Sequence, residues 1–144
     1  EVIGVNSRLD SIQAAILHVK LKRLNSYSSL RRESASLYSS QLKDINWIET
    51  PFEEHYSQHV YHQYTIKVLN GKRDGLKEHL RSLNIPTTVY YPKSLHKQVA
   101  FKKSKSGSFP NSNNLESKVL SLPMHTELNK ETILHIVNSI KSFK

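Results

Sequence analysis

The sequence predicts an α+β domain in which helices pack on a small sheet. Several segments carry apolar residues at spacings of three and four, as amphipathic helices do. Val60–Leu69 instead alternates apolar and polar residues, which is typical of a half-buried strand. Predicted helices come first and last along the chain, and predicted strands lie between them. We therefore expect helices layered on a small sheet.

Two helices are predicted at the start of the chain. Asp10–Leu24 carries two neighbouring apolar stripes, so we expect it to be buried on more than one side. Asn25 and Ser26 indicate a helix end and a new cap. Tyr27–Leu42 is predicted as the second helix. The inward face of that helix is predicted to hold Tyr27, Leu30, Ser34, Leu37, Tyr38 and Leu42.

The rest of the chain is predicted to alternate strands and helices. The strand Val60–Leu69 is followed by a helix at Asp74–Leu83, a second strand at Thr87–Tyr91 and a short helix at Asn113–Leu120. A last helix covers Lys130–Phe143. Asn129 is expected to cap it. Inward positions are predicted at Tyr64, Ile66, Val68, Leu76, Leu80, Leu83, Ile133, Ile136, Val137 and Ile140, with Val60 and His62 on the strand's inward face.

Composition limits the classes of protein that fit. The 144 residues are 37% hydrophobic and 23% charged, which suits one globular domain. There is no cysteine, and no apolar run reaches membrane-spanning length. The net charge of +9 comes from scattered lysines, so we interpret it as a basic solvated surface and expect no nucleic-acid partner. Because a helix begins almost directly after Glu1, we expect the chain to be a fragment.

The common catalytic motifs are missing from the sequence. His55, His59 and His62 are the closest histidines, but in a strand His59 and His62 would point to opposite faces. We therefore expect no metal site. The sequence also lacks a nucleophile elbow, a phosphate-binding P-loop and a dinucleotide-binding glycine pattern.

The loop before the first helix carries groups that bind anions. Gly4 supplies backbone freedom, Asn6 an amide, Ser7 a hydroxyl and Arg8 a guanidinium. These donors suit phosphate or carboxylate oxygens. The alternative is a helix-entry loop that only caps its own backbone.

The loop is the first of four motifs that occur in a fixed order. The motifs are Gly4, Asn6, Arg8, Asp10, Gln13, Ala14, Ala15 and Leu17; Arg73, Asp74 and Leu76; Tyr91, Pro92, Leu95, His96 and Gln98; and Leu120 to His125. Together they resemble the C-terminal part of the DegT/DnrJ/EryC1/StrS family, the nucleotide-sugar aminotransferases that depend on pyridoxal phosphate (PLP).

The resemblance implies a fold-type I aminotransferase. Residues 1–24 would form the cofactor-phosphate loop and the helix linking the domains, and residues 25–144 the small C-terminal domain. Family members are typically homodimers with active sites between subunits. Asn6 and Arg8 would accordingly reach the PLP phosphate of the partner subunit. His96, Tyr90, Tyr91 and Arg8 would contact substrate.

The implied reaction moves an amino group, from glutamate, to a nucleotide-linked keto sugar for surface-polysaccharide or natural-product biosynthesis in the cytoplasm. The Schiff-base lysine of the family belongs to an N-terminal domain, and no lysine here matches its motif. We therefore assign no catalytic residue to this chain and expect it to be inactive alone. Without its missing domain, the helix Asp10–Leu24 would expose an apolar patch, which we expect to drive oligomerisation or insolubility. The alternative is a non-catalytic remnant that dimerises or binds anions.

Two positions depart from the family pattern. Ser94 stands where the family usually has a second proline, and we expect this change to loosen the loop. Tyr90 stands where many members have histidine, which we expect to alter sugar preference.

Overall fold

The computed structural model describes residues 6–101 and 107–143, so Gly4 lies outside the described residues. The helices are α1 (Ser11–Leu21), α2 (Leu24–Leu42), α3 (Arg73–Ser82), α4 (Pro110–Glu116) and α5 (Lys130–Lys141). The strands are β1 (Ile48–Glu49), β2 (Tyr64–Val68) and β3 (Val119–Leu122). Short 3-10 turns cover Leu95–Lys97 and Val99–Phe101. The predicted α+β class is confirmed.

The three strands form an antiparallel sheet in the order β1-β2-β3. Ile48 pairs with Val68, and Ile66 pairs with Leu120. The prediction of a strand at Thr87–Tyr91 is wrong, because Thr88 alone in this segment forms a bridge to the sheet, opposite Ser121. The third strand is instead β3. Its short apolar run alternates too little between apolar and polar residues to predict a strand from the sequence.

The core forms where α2, α3 and α5 cover one face of the sheet. Tyr38 of α2 is fully buried and stacks on Tyr64 of β2, with ring centroids 4.9 Å apart. The Tyr38 hydroxyl donates to the carbonyl oxygen of Pro123 at 3.2 Å. The Tyr64 hydroxyl lies 2.8 Å from Ser39 Oγ. Both buried phenols are therefore hydrogen-bonded, as burial of a polar group requires.

The last helix agrees with its prediction. Asn129 Oδ1 accepts the backbone N–H of Thr132 at 2.8 Å, which caps the first turn of α5. The predicted inward residues of this helix, Ile133, Ile136, Val137 and Ile140, are all buried. In α3, Leu76 and Leu80 are buried, whereas Leu83 is 41% exposed. The prediction that Leu83 faces inward is wrong, because the helix ends one residue earlier, at Ser82.

The first two helices also depart from expectation. They are separated at Lys22 and Arg23, and Asn25 and Ser26 lie inside α2 rather than capping it. No residue of α1 is buried, and Ile12 is 75% exposed. The expected burial of α1 is therefore not found in this chain, while the expected exposed apolar patch is confirmed. Leu30 of α2 is likewise exposed, so the predicted inward face of α2 is correct only from Ser34 onward.

Burial of the paired phenols makes stability depend on alkaline pH. Desolvation raises the pKa of Tyr64 from 10.0 to about 12 and raises that of Tyr38 as well. The folded state therefore keeps protons that the unfolded state loses above pH 10. The stabilisation that Tyr64 contributes is fully present below pH 10. Between pH 10 and about pH 12 the free energy of unfolding decreases by about 1.4 kcal/mol per pH unit.

We expect Tyr64→Phe to reduce this loss of stability at alkaline pH, because phenylalanine keeps the ring and has no proton to lose. Urea unfolding between pH 9 and pH 12 measures it, with the slope of unfolding free energy against pH as the readout. Equal slopes for the two proteins would contradict the assignment.

Candidate functional site

The loop at the start of the described chain leaves its donors exposed. Asp10 caps α1, because its Oδ1 accepts the backbone N–H of Gln13 at 2.7 Å. Asn6, Ser7 and Arg8 are exposed and make no side-chain hydrogen bond to another described residue. The capping role therefore belongs to Asp10, and the three donors before it are available to a ligand.

The donor set of this loop fits a phosphate group. An amide, a hydroxyl and a guanidinium all donate hydrogen bonds, and the guanidinium adds positive charge. The loop also enters the N-terminal end of α1, where the helix dipole favours anions. Asp10 is the one carboxylate of the loop, and its Oδ1 is occupied by the cap. The residues therefore suit the phosphate of PLP.

The third motif, which contains Tyr91 to Gln98, forms a loop that is held by one carboxylate. Glu116 Oε2, on α4, accepts the Ser94 hydroxyl at 2.6 Å, the Ser94 backbone N–H at 3.1 Å and Lys97 Nζ at 3.0 Å. The Ser94 hydroxyl also lies 3.0 Å from the carbonyl oxygen of Ser112, but its single proton favours the shorter, charged partner. Ser94 is buried. The expectation that Ser94 loosens this loop is therefore wrong.

The same contacts keep Glu116 ionised. Hydrogen bonds from Ser94, followed by those from Lys97, lower the pKa of Glu116 from 4.5 to about 2. Because the folded pKa lies below the unfolded value, the contribution to stability is present above pH 4.5 and is lost as the pH falls towards 2.

We expect Ser94→Ala to raise the rate of tryptic cleavage at Lys93 and Lys97 by about tenfold, because one charge-assisted hydrogen bond is lost. Limited proteolysis followed by mass spectrometry measures the rate. Ser112→Ala is the matched control, since Ser112 offers only its backbone carbonyl. Unchanged cleavage in Ser94→Ala would show that the Ser94 hydroxyl does not hold the loop.

His96 lies on this loop and faces α4. Its ring stacks on Phe109 with centroids 4.7 Å apart, and its Nε2–H donates to Asn113 Oδ1 at 3.1 Å. The ring is half-buried, and its Nδ1 makes no hydrogen bond to another residue that the structure describes.

Tyr90 and Tyr91 lie apart from His96 and line two neighbouring cavities. Tyr90 lines a cavity of about 390 Å³, and Tyr91 lines one of about 480 Å³. His62 lines both cavities, His59 lines the second and His125 the first. We name the surface formed by His59, His62, Tyr90, Tyr91 and His125 the histidine groove. Asn6 and Arg8 line neither cavity.

The groove corrects two sequence predictions. His62 was predicted to face inward on a strand, but it is exposed because β2 begins only at Tyr64. His59 and His62 were predicted on opposite faces, yet they line the same cavity. The cause is Tyr61 between them, whose φ of 44° turns the chain and breaks the alternation. His125, at the end of the fourth motif, was not assigned a role from the sequence.

Metal and membrane sites are not found in the described ranges 6–101 and 107–143. No group of three or more histidine, cysteine or acidic side chains there is placed to hold a metal ion. No helix there is both long enough and apolar enough to cross a bilayer.

The fold is shared with solved aminotransferases. An aminotransferase from Brucella abortus superposes with a TM-score of 0.86 and 40% identity, covering 98% of this chain and 37% of the other. The structure of S. venezuelae DesV gives a TM-score of 0.85 at 31% identity, covering 98% of this chain and 38% of the other. The fold is that of the C-terminal part of these aminotransferases.

The family follows from a sequence comparison. The model of the DegT/DnrJ/EryC1/StrS aminotransferase family matches residues 1–141, and the chain belongs to that family. A pleiotropic regulatory protein of Geobacillus stearothermophilus is 40% identical over 99% of this chain. The UDP-2-acetamido-2-deoxy-3-oxo-D-glucuronate aminotransferase of Pseudomonas aeruginosa is 40% identical over 91%. The chain spans 39% and 35% of the lengths of these two relatives.

Proposed function

We propose that this chain acts as the C-terminal part of a PLP-dependent aminotransferase. The enzyme transfers an amino group from glutamate to a nucleotide-linked keto sugar, in the cytoplasm, for surface-polysaccharide or natural-product biosynthesis. The observation that carries the proposal is the family match over residues 1–141. Relatives named as transaminases of nucleotide sugars, from Aneurinibacillus thermoaerophilus and Pseudomonas aeruginosa, support the substrate class.

We propose a division of labour within the chain. Residues 1–24 provide a phosphate-binding loop and a linking helix, and residues 25–144 form the small domain. The exposed apolar side of α1 supports this division, because so large an apolar surface is usually covered in a working assembly. We propose a homodimer in which Asn6 and Arg8 donate to the phosphate of the cofactor held by the partner subunit.

The remaining assignments concern substrate. Bound PLP supplies the group that accepts and returns the amino group. Tyr90, Tyr91 and His96 are proposed to contact the sugar nucleotide, with Arg8 near its charged end. The chain itself carries no cofactor-linking lysine in this proposal, so residues 1–144 alone form no amino sugar.

A chimera tests the proposal. This chain replaces the matching segment of the Pseudomonas aeruginosa aminotransferase, which spans 131 residues of the alignment. We expect the chimera to bind PLP and to release about one equivalent of 2-oxoglutarate per site when glutamate is added in a single turnover. Residues 1–144 alone and the Pseudomonas remainder alone are the controls, and both are expected to release none.

A folded, dimeric chimera that binds PLP without converting glutamate would refute the proposed function. Circular dichroism and light scattering establish folding and dimerisation independently of activity, so an unfolded chimera is not mistaken for an inactive one.

A further inference from the structure

We propose that Glu116 is a positioning residue for recognition of the nucleotide sugar, acting through the loop of residues 94–97. This role deepens the proposed function and rests on it, because His96 of this loop is proposed to contact that substrate. The Glu116 carboxylate is bonded to the loop itself, so it acts on the sugar only through the residues that it holds.

One face of α4 holds this loop at three residues. Asn113 and Glu116 are three positions apart in the helix, so their side chains lie on the same face. Glu116 Oε2 bonds Ser94 and, at 3.0 Å, Lys97 Nζ. Asn113 Oδ1 accepts the Nε2–H of His96 at 3.1 Å. His96 therefore stands between two residues that a single carboxylate fixes.

The backbone that carries Glu116 is itself held by the second sequence motif. Arg73 of α3 has a side chain that is only 11% exposed. Its Nη1 donates to the carbonyl oxygens of Glu116 and Val119, each at 3.4 Å. Because Val119 begins β3, the end of α4 is joined to both α3 and the sheet. Glu116 thus reaches the loop from a backbone with contacts on two sides.

The backbone of Ser94 adopts a conformation that suits proline. Its φ is −55° and its ψ is 143°, and a proline ring fixes φ near −65°. The family usually has a second proline where this chain has Ser94. Serine leaves φ free, but its hydroxyl and its backbone N–H both donate to Glu116, at 2.6 and 3.1 Å. The bonds to Glu116 therefore fix this position in place of a ring.

The chimera with the Pseudomonas aminotransferase tests the role, because its two half-reactions are measured separately. The sugar probe is UDP-2-acetamido-2-deoxy-3-oxo-D-glucuronate, the compound in the name of that relative. We expect Glu116→Ala to raise the KM for this sugar by about tenfold, because the loop loses its charged anchor. Release of 2-oxoglutarate from glutamate in a single turnover is expected to be unchanged. A merely structural defect would lower both half-reactions.

A second substitution is expected to rescue the first. Adding Ser94→Pro to Glu116→Ala should return the KM to within about twofold of the unsubstituted value, because the ring fixes φ without the carboxylate. Glu78→Ala is the matched control. Glu78 Oε1 accepts Arg81 Nη2 at 2.7 Å on the exposed side of α3, so the control also loses an ion pair, but none with the loop. Its KM is expected to match that of the unsubstituted chimera.

Three results would overturn the positioning role: an unchanged KM in Glu116→Ala, an equal loss in both half-reactions, or no rescue by Ser94→Pro. A chimera that converts glutamate but not the sugar would overturn it as well, because the loop would then not serve that substrate. A chimera that converts no glutamate refutes the proposed function, and the positioning role falls with it. Release of 2-oxoglutarate by the unsubstituted chimera thus separates the two failures.

Discussion

Arg8→Ala is expected to weaken the affinity of the chimeric dimer for PLP by about tenfold to a hundredfold, and Asn6→Ala by about tenfold. A hydrogen bond to a charged group is worth roughly 1.5–3 kcal/mol, and each 1.4 kcal/mol changes affinity tenfold. The guanidinium has the larger expected effect because it carries charge and can bond in a bidentate manner. Equilibrium titration of apo-enzyme with PLP, followed by cofactor absorbance, measures both constants.

The control for this loop is Lys22→Ala. Lys22 is an exposed cation at the other end of α1, so its removal lowers the net charge without touching the loop. We expect its PLP affinity to match the unsubstituted chimera. An Arg8→Ala protein that binds PLP normally would contradict the phosphate role, and an equal loss in Lys22→Ala would indicate a general charge effect.

Tyr38→Ala is expected to lower the free energy of unfolding of the chain by about 3–5 kcal/mol, because it removes a fully buried aromatic ring from the core. The substitution also removes the stacking partner of Tyr64 and leaves the carbonyl of Pro123 without its donor. Urea unfolding followed by circular dichroism gives the difference.

Tyr38→Phe separates the ring from the hydroxyl. It keeps the stack and is expected to cost about 1–2 kcal/mol, the value of one hydrogen bond. Leu30→Ala is the control on the same helix, since Leu30 is exposed. A loss below about 1 kcal/mol in Tyr38→Ala would show that α2 does not pack on the sheet as described.

The helices were predicted best where periodicity and a cap agree. Lys130–Lys141 combines an Asn129 cap with an apolar stripe, and both signals act within a few residues. The strands were predicted worst, because pairing depends on contacts between distant segments. β3 is recognisable only once Leu120 is seen opposite Ile66, 54 residues earlier in the chain.

The candidate site also has parts that the sequence predicts and parts that it does not. The donors of Asn6 and Arg8 follow from residue type, and the structure shows that Asp10 caps α1 and leaves both exposed. The groove could not be predicted, since the left-handed turn at Tyr61 carries no glycine to announce it. The anchoring of Ser94 by Glu116 was likewise hidden, because it joins residues 22 positions apart.

Mixing two defective chimeras, at a PLP concentration too low to saturate the loop variant, tests most directly whether Asn6 and Arg8 serve the partner's cofactor. One variant lacks the cofactor-linking lysine, and the other carries Asn6→Ala and Arg8→Ala. Mixed dimers would pair the lysine of one subunit with the loop of the other. We predict recovery of about one quarter of the unsubstituted activity after random exchange of subunits. No recovery, with mixed dimers demonstrated by native mass spectrometry, would contradict binding across the interface.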